Sequence, residues 1–430
     1  MEPADRAGFF ADPATLDPEA YVEVEYTCEC VGEPETAAAH LASEQSTAQW
    51  QRPGKPEDLR PEFAARVVSL TVSETRASLS IPVPEAPEGP VHACRIRIAH
   101  PHANFGPSLP NLLSAVAGEG VFFVPGIPLI RLESIRFPAE YLAHFAGPRF
   151  GVAGLREWFA IHDRPFFFGV VKPNLGLSPA DFGELAEAAW RGGLDIAKDD
   201  EMLVDPPSSP LAERTRRLGA MRRHLEAELG VRKGYLANIT GEVAGLAARH
   251  DTAVDHGANA VMVNALPVGL SAVRQLRDHA RVPLVAHFPL IAASSRLRYY
   301  GIHPRVWTQL QRLVGFDVII MPGFGPRMMT PHDEVHACLE ACREPLPGIA
   351  PSLPVPGGSD WAGTLAGVYR QIGSFDFGFV PGRGIFSHPA GPAAGARSIR
   401  AAWTAIAAGI PLADYARHHS DLAAAIEAFG

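Results

Sequence analysis

From Pro165 to the C-terminus the hydrophobic pattern switches between two periods. Short apolar runs, each ending in Gly, Pro or polar residues, are followed by longer stretches whose apolar residues lie three and four apart. The runs are FFFGVVKPN, LDIAKDDE, GYLANITGE, NAVMVNALP, VPLVAHFPL, FDVIIMPGFG, SLPVPGGSD and FDFGFVPGRG. The stretches between them, such as SPADFGELAEAAWRGG and HDEVHACLEACR, read as amphipathic helices. Ser178 followed by Pro179 is a helix start: the hydroxyl can accept a free backbone N–H, and proline suits the first helical position. Eight strand–helix units over about 250 residues predict a (β/α)8 barrel.

The residues before this rhythm alternate differently. YVEVEYTCEC, ARVVSLTVSET, ASLSIPVP and ACRIRIAHP have the two-residue period of half-buried strands. ETAAAHLASEQS, NLLSAVAGEG and FPAEYLAHF read as helices, so this part predicts an α+β module with an antiparallel sheet. The expected class is α/β: an N-terminal α+β domain over 1–147, then a TIM barrel over 148–430.

Composition narrows the function. A chain of 430 residues, 47% hydrophobic, can fill two cores. A net charge of −9 without a basic face argues against a nucleic-acid partner. The longest apolar runs, such as GVFFVPGIPLI, are broken by Pro and Gly and too short to span a bilayer. The acidic MEPADRAGFF start has no apolar h-region, so no signal peptide is read there and a cytoplasmic location is expected. Cys28, Cys30, Cys94, Cys338 and Cys342 lack the spacing of a zinc site, even with His332 and His336 nearby, and read as thiols of a reducing compartment.

Lysine use is informative. Of 38 cations only Lys55, Lys172, Lys198 and Lys233 are lysine. Arginine serves for generic positive charge, so a retained lysine is a candidate for chemistry a guanidinium cannot do: losing a proton, or attacking a carbonyl carbon or CO2. Lys55 and Lys233 lie in polar, turn-like sequence and need no such role.

Barrel chemistry sits at the C-terminal strand ends. Those ends carry Lys172 and Asn174, then Lys198, Asp200 and Glu201, Asn238, Asn264, His287, the MPGFGPR stretch, Gly357–Gly358–Ser359 and Gly382–Arg383–Gly384. Lys198 and Asp200, two apart in a strand, leave the same face. Asp and Glu suit Mg2+, but an ammonium is a poor neighbour for that ion. Three readings stand: a salt-bridged loop without chemistry, a Schiff-base lysine, or a lysine converted by CO2 to an anionic carbamate that ligates the metal.

KPNLGLSPADFGELAEAAWRGGLDIAKDDE resembles the ribulose-bisphosphate carboxylase large-chain family, in which KPKLGL precedes GGLDFTKDDE at the same spacing. ASEQSTAQW, NLLSAVAGEG, IRLESIRFP, the VAHFP histidine, VPGGSD and GRGIFSHPAG also have counterparts, so the likeness covers nearly the whole chain. It implies a ferredoxin-like N-terminal domain before the TIM barrel. It further implies a homodimer, or a higher homo-oligomer, with active sites shared between subunits. By resemblance Lys198 is carbamylated and binds Mg2+ with Asp200 and Glu201. Lys172 is the acid–base lysine, His287 the strand-five histidine, and Glu44 reaches in from the partner subunit.

Several positions depart from the carboxylase pattern. The second lysine of KPK is Asn174, and the loop lysine over the substrate aligns with Arg327. The arginine after the strand-five histidine is Phe288, and the strand-six histidine is Ile320. The threonine before the tryptophan is Gln49, and the serine of SGG is Gly357 in GGSD. A phosphate against Phe288 and Ile320 would be uncompensated. Gly357, Gly358 and Ser359 remain candidate substrate contacts, and Gly382, Arg383 and Gly384 suit a single anion. The likeness is therefore to the RuBisCO-like (form IV) branch rather than to CO2-fixing enzymes. The expected activity is Mg2+-dependent enolate chemistry, foremost decarboxylation of a β-keto sugar acid such as 3-oxo-isoapionate or its 4-phosphate. Carboxyl transfer before hydrolysis is a variant of that reaction. Enolisation of a diketo-methylthiopentyl phosphate, isomerisation of methylthioribulose phosphate and a non-catalytic relative are the alternatives.

Overall fold

The structure, a computed structural model, describes residues 6–48 and 58–430. Gln49 and Lys55 lie outside the described residues. Contacts divide the chain into two units. The first comprises Met1–Ala146 with Leu290–Leu310 and Leu346–Ile349; the second comprises Gly147–Pro289, Gln311–Pro345 and Ala350–Gly430.

In the first unit β1 (Tyr21–Val31), β2 (Arg66–Arg76), β3 (Val91–Pro101) and β4 (Leu129–Arg136) form an antiparallel sheet in the order β4–β1–β3–β2. The two-residue strand Gly301–Ile302 adds in parallel to β4. Alternation in β1 sets the layers: Val22, Val24, Tyr26 and Cys28 are buried, while Glu23, Glu25 and Thr27 face the other side. Glu23 pairs with Arg136 at 2.9 Å and Glu25 with Arg95 at 2.7 Å. The Tyr26 hydroxyl donates to Val116 O at 2.7 Å and accepts from Gln45 Nε2 at 2.7 Å. That clamps the end of the helix Pro34–Glu44, where Glu44 is exposed.

Two expectations for this unit change. ASLSIPVP is not a strand: residues 77–90 are irregular, and Pro82, Pro84, Pro87 and Pro90 remove the donors a ladder needs. The fourth long strand is LIRLESIR, whose burial does not alternate cleanly and which the period therefore hid. FPAEYLAHF keeps only one helical turn, Ala139–Leu142. All five cysteines are free and buried.

The second unit carries the eight parallel strands. They are β5 (Phe166–Val170), β6 (Ile196–Lys198), β7 (Gly234–Asn238), β8 (Ala260–Asn264), β9 (Leu284–His287), β10 (Val318–Pro322), β11 (Leu353–Gly357) and β12 (Gly378–Phe379). Their order is β11–β10–β9–β8–β7–β6–β5–β12, a sequential winding in which the last strand pairs beside the first. Helices alternate with them. In the helix Pro179–Arg191, Ser178 Oγ accepts the Asp181 N–H at 3.2 Å. The interior is one apolar cluster: Phe166, Phe168, Ile196, Leu236, Met262, Val285, Val318, Ile320, Leu353 and Val355. These residues recur at steps of two along their strands, as side chains on one face of a strand must. No helix among the described residues is long and apolar enough to cross a membrane.

Candidate active site

The same two-residue step builds the site. One step past the core residues Ile196, Leu236, Met262, Val285 and Val355 stand Lys198, Asn238, Asn264, His287 and Gly357. A further step past Lys198 is Asp200. Polar groups therefore replace apolar ones where each strand leaves the core, at its C-terminal end.

Asp199, between them, must face the other way, and it does. Its Oδ2 accepts from Arg214 Nη2 at 3.0 Å and from the Asn238 N–H at 3.0 Å, and its Oδ1 accepts from the Tyr235 hydroxyl at 3.0 Å. The Asp199 and Arg214 side chains are both fully buried. So KDDE divides its charges: Asp199 fastens the strand end to the helix Leu211–Leu229, and Lys198, Asp200 and Glu201 belong to the mouth. Two amides hold the loop from within. Asn238 Nδ2 donates to Asp200 O and Glu201 O, and Asn264 Nδ2 donates to Glu201 O.

Lys198 is fully buried, with its Nζ donating to Asp199 O at 2.8 Å. Burial pushes its amine down to about 8; Glu201, Asp200 and Asp199 oppose that shift and Lys172 adds to it. Lys172 Nζ donates to Asp200 Oδ2 at 2.7 Å and to Asn174 Oδ1. Asp200 Oδ1 accepts the Met202 N–H at 3.1 Å. His287 Nδ1 accepts the Phe288 N–H at 3.0 Å, so the neutral ring carries its proton on Nε2, which faces Glu201 Oε2 at 3.5 Å. Burial holds the His287 imidazolium form well below its ordinary range, with Lys198 and Lys172 adding to the effect. Phe288 stacks on that ring at 4.8 Å.

The glycine loops close the mouth on the other side. A Cβ on Gly382 would lie 3.2 Å from Lys172 Cε, so the loop after β12 rests against the lysine stem. A Cβ on Gly325 would meet Gly358 O at 2.1 Å, which glycine alone avoids, and this packs the loops after β10 and β11 together. Ser359 is exposed with φ 60, a left-handed turn. Arg327 is exposed in the turn Pro326–Met328. Arg383 is exposed, its guanidinium 5.5 Å from the Phe429 ring. Lys172 thus contacts Asn174 and Asp200 directly, His287 faces Glu201, and the Lys198 amine is held by the Asp199 carbonyl; Glu44 belongs to the first unit.

Two side chains depart from the sequence reading. Lys233 is not in a polar turn: it is buried, its Nζ donates to Leu194 O at 2.8 Å, and burial lowers its amine to about 8. It precedes β7, at the end of the barrel opposite the mouth. Asp360, which was not singled out, is buried directly after Ser359. Its place after GGS was the available signal.

His250, Asp251 and His279 also converge, away from the strand ends. There His250 Nε2 accepts the Arg281 N–H at 3.2 Å, so Nδ1 carries the proton and donates to Asp251 Oδ1 at 2.9 Å. That proton occupies the lone pair a metal would need.

The donors at the mouth fit a hard divalent ion. Asp200 and Glu201 are carboxylates on one short loop. Lys198 as an ammonium would repel the ion, but its buried, easily neutralised amine is suited to becoming an anionic carbamate.

A sequential eight-stranded parallel α/β unit preceded by a ferredoxin-like domain, with KDDE at the second strand end, defines a protein of the RuBisCO class. Residues 151–429 match the ribulose bisphosphate carboxylase large chain catalytic domain, and residues 24–141 match its N-terminal domain. The chain belongs to that family, as a RuBisCO-like member. It is 64% identical over its whole length to ribulose bisphosphate carboxylase-like protein 2 of Rhodopseudomonas palustris, covering 100% of both chains. It is 33% identical to 3-oxo-isoapionate-4-phosphate decarboxylase of Rhizobium rhizogenes, over 95% of this chain and 98% of that one. A solved rubisco-like protein from Burkholderia fungorum superposes with a TM-score of 0.88 at 32% identity, covering 96% of this chain and 100% of that one.

Proposed function

We propose that this protein is a Mg2+-dependent lyase that decarboxylates a β-keto sugar acid of the 3-oxo-isoapionate class, rather than a CO2-fixing carboxylase. The carrying observation is the state of the acid–base pair. Lys172 is retained beside Asp200, while its second lysine partner is Asn174, whose amide oxygen accepts from Lys172 Nζ. Loss of CO2 from a β-keto acid needs no base to begin it; it needs the resulting enolate stabilised and then protonated. The Lys172 ammonium, held by Asp200 and Asn174, is a proton donor suited to that second step. A relative at 33% identity named for such a reaction supports the same class.

Asp200, Glu201 and the carbamate of Lys198 would hold the Mg2+, which when bound supplies positive charge against the enolate oxygen. The neutral His287 presents its Nε2–H toward Glu201 and so orients that carboxylate. Asn238 and Asn264 keep the Asp200–Glu201 backbone in place. Gly357, Gly358, Ser359, Arg327 and Gly382–Gly384 are assigned to substrate binding. Glu44 is assigned to the partner's site in a homodimer.

The test is to supply 3-oxo-isoapionate and its 4-phosphate with Mg2+ and bicarbonate and measure CO2 release. Release that requires both Mg2+ and bicarbonate is expected. Turnover of the methylthio diketone phosphate, with no CO2 released from either acid, would overturn the reading.

A further inference from the structure

Asn238 and Asn264 end two adjacent strands, β7 and β8, and both side-chain amides donate to Glu201 O, at 2.9 and 3.1 Å. A carbonyl oxygen only accepts, so each side chain turns its Nδ2 toward that oxygen and its Oδ1 away from it. From there the two differ. Asn238 Oδ1 is met by its own loop: it accepts from the Thr240 hydroxyl at 2.7 Å and from the Thr240 N–H at 3.1 Å. Asn264 Oδ1 is buried and has no donor among the described residues.

The neighbouring donors are committed elsewhere. Thr240 Oγ1 gives its hydrogen to Asn238 and accepts the Asn264 N–H at 3.0 Å, so it touches the Asn264 backbone without serving the side chain. His287, the register partner of Asn264 on β9, turns its Nε2 to Glu201 Oε2 at 3.5 Å. Asn264 itself is 9% exposed. A buried acceptor without a donor is costly, and most such groups in folded proteins are paired. This one follows Met262 of the barrel interior by a single two-residue step, so it stands on the face of β8 that leads into the mouth. An acceptor held there selects what it meets. A keto or carboxylate oxygen would face it lone pair to lone pair, and an apolar group would leave it unpaired; a hydroxyl supplies the hydrogen.

We propose that Asn264 is a specificity-determining residue: its Oδ1 accepts from a hydroxyl group of the bound sugar acid, beside the Glu201 loop. This deepens the proposed function and rests on its reading of a hydroxyl-bearing β-keto acid as substrate. One amide then has two tasks. Its Nδ2 holds the backbone of a proposed metal ligand, and its Oδ1 tests the hydroxyl pattern of the substrate. A compound lacking that hydroxyl leaves the acceptor unpaired and is rejected, a discrimination that shape alone supplies weakly.

The experiment is a binding comparison that needs no turnover. The probe is the hydroxy acid matching 3-oxo-isoapionate, which has no β-keto group and so keeps its carboxylate. It and its monodeoxy analogues, each lacking one hydroxyl, are titrated calorimetrically with Mg2+ and bicarbonate. The wild type is expected to bind one of these analogues roughly tenfold more weakly than the parent. Asn264→Ala is expected to weaken the parent by a similar factor and to leave that analogue within about threefold of its wild-type affinity. Thr240→Val disturbs the same loop network but keeps Asn264 Oδ1, and should leave the parent-to-analogue ratio within about threefold of the wild type. A wild type that binds the parent and every analogue alike, or none of them, overturns the proposal whether or not the variants fold. So does an Asn264→Ala protein that weakens all the ligands by one factor, which would leave Asn264 as a support of the Glu201 loop alone, or a Thr240→Val protein that loses the ratio as fully as Asn264→Ala. Selective binding without CO2 release from the 3-oxo acid would reject the decarboxylase reading and support this one; CO2 release without selectivity would do the reverse.

Discussion

Lys172 Nζ lies 2.7 Å from Asp200 Oδ2, so two residues 28 apart in sequence join the ends of two adjacent barrel strands. The pair places a proton donor beside a proposed metal ligand. Lys172→Met removes the donor while leaving Asp200, and is expected to lower kcat by roughly 10²–10⁴-fold, the range of general acid–base catalysis. Mg2+ affinity should hold within about threefold, because the ligands stay and a competing cation leaves. Steady-state kinetics with a Mg2+ titration checks both; an unchanged kcat rejects the assignment.

Lys198 should respond to pH in a defined direction. With the amine near 8, about one molecule in ten carries the neutral, CO2-reactive form at pH 7. At fixed dissolved CO2, activation should therefore quicken about fivefold between pH 7 and pH 8 and level off above that. Lys198→Arg keeps the positive charge but cannot form the carbamate, and should show no bicarbonate-dependent Mg2+ binding. Calorimetry with and without bicarbonate reads this. Equal Mg2+ binding by both proteins would remove the carbamate from the mechanism.

The Asp199–Arg214 pair is structural. Both side chains are fully buried, so Arg214→Met leaves an unpaired carboxylate in the interior. The expected loss is about 3–5 kcal/mol of unfolding free energy by urea denaturation. A loss below about 1 kcal/mol would mean that Tyr235 and the Asn238 N–H suffice to hold Asp199.

His100 makes the fold acid-sensitive. Complete burial holds its folded value down at about 3, and its Nε2 has no hydrogen-bond partner. The folded value lies below the unfolded one, so the neutral ring favours the native state. This contribution is intact above about pH 6.5 and is lost progressively as pH falls toward 3. Between pH 7 and pH 5 the wild type should lose roughly 2 kcal/mol more than His100→Leu. Parallel urea titrations at the two pH values decide; identical losses would place the acid sensitivity elsewhere.

Much of this protein was legible without coordinates. The short apolar runs ending in Gly, Pro or polar residues locate the barrel strands, because strands covered on both faces are apolar nearly throughout; within each, alternate side chains share a face. The same period carries from Ile196 through Lys198 to Asp200, and from Val285 to His287, so the mouth residues could be read off the ends of apolar runs. Local chemistry was equally plain at Ser178, where the capping hydroxyl and the N–H it accepts are three residues apart. The irregular stretch 77–90 and the strand Leu129–Arg136 were harder, because prolines and uneven burial blur the alternation.

What only the tertiary structure decided were pairings between residues distant in sequence. That Asp199 turns away to Arg214, that Lys172 meets Asp200, and that Lys233 is buried all depend on which helix or strand packs beside which. The Asp360 carboxyl needs its loop's exact path, since one left-handed residue aims it back at Gly358. A sequence states which groups are present and which face of an element they leave. Burial and charge pairing are set by the neighbours that folding brings, and these determine the pKa of Lys198 and the polarity of the mouth.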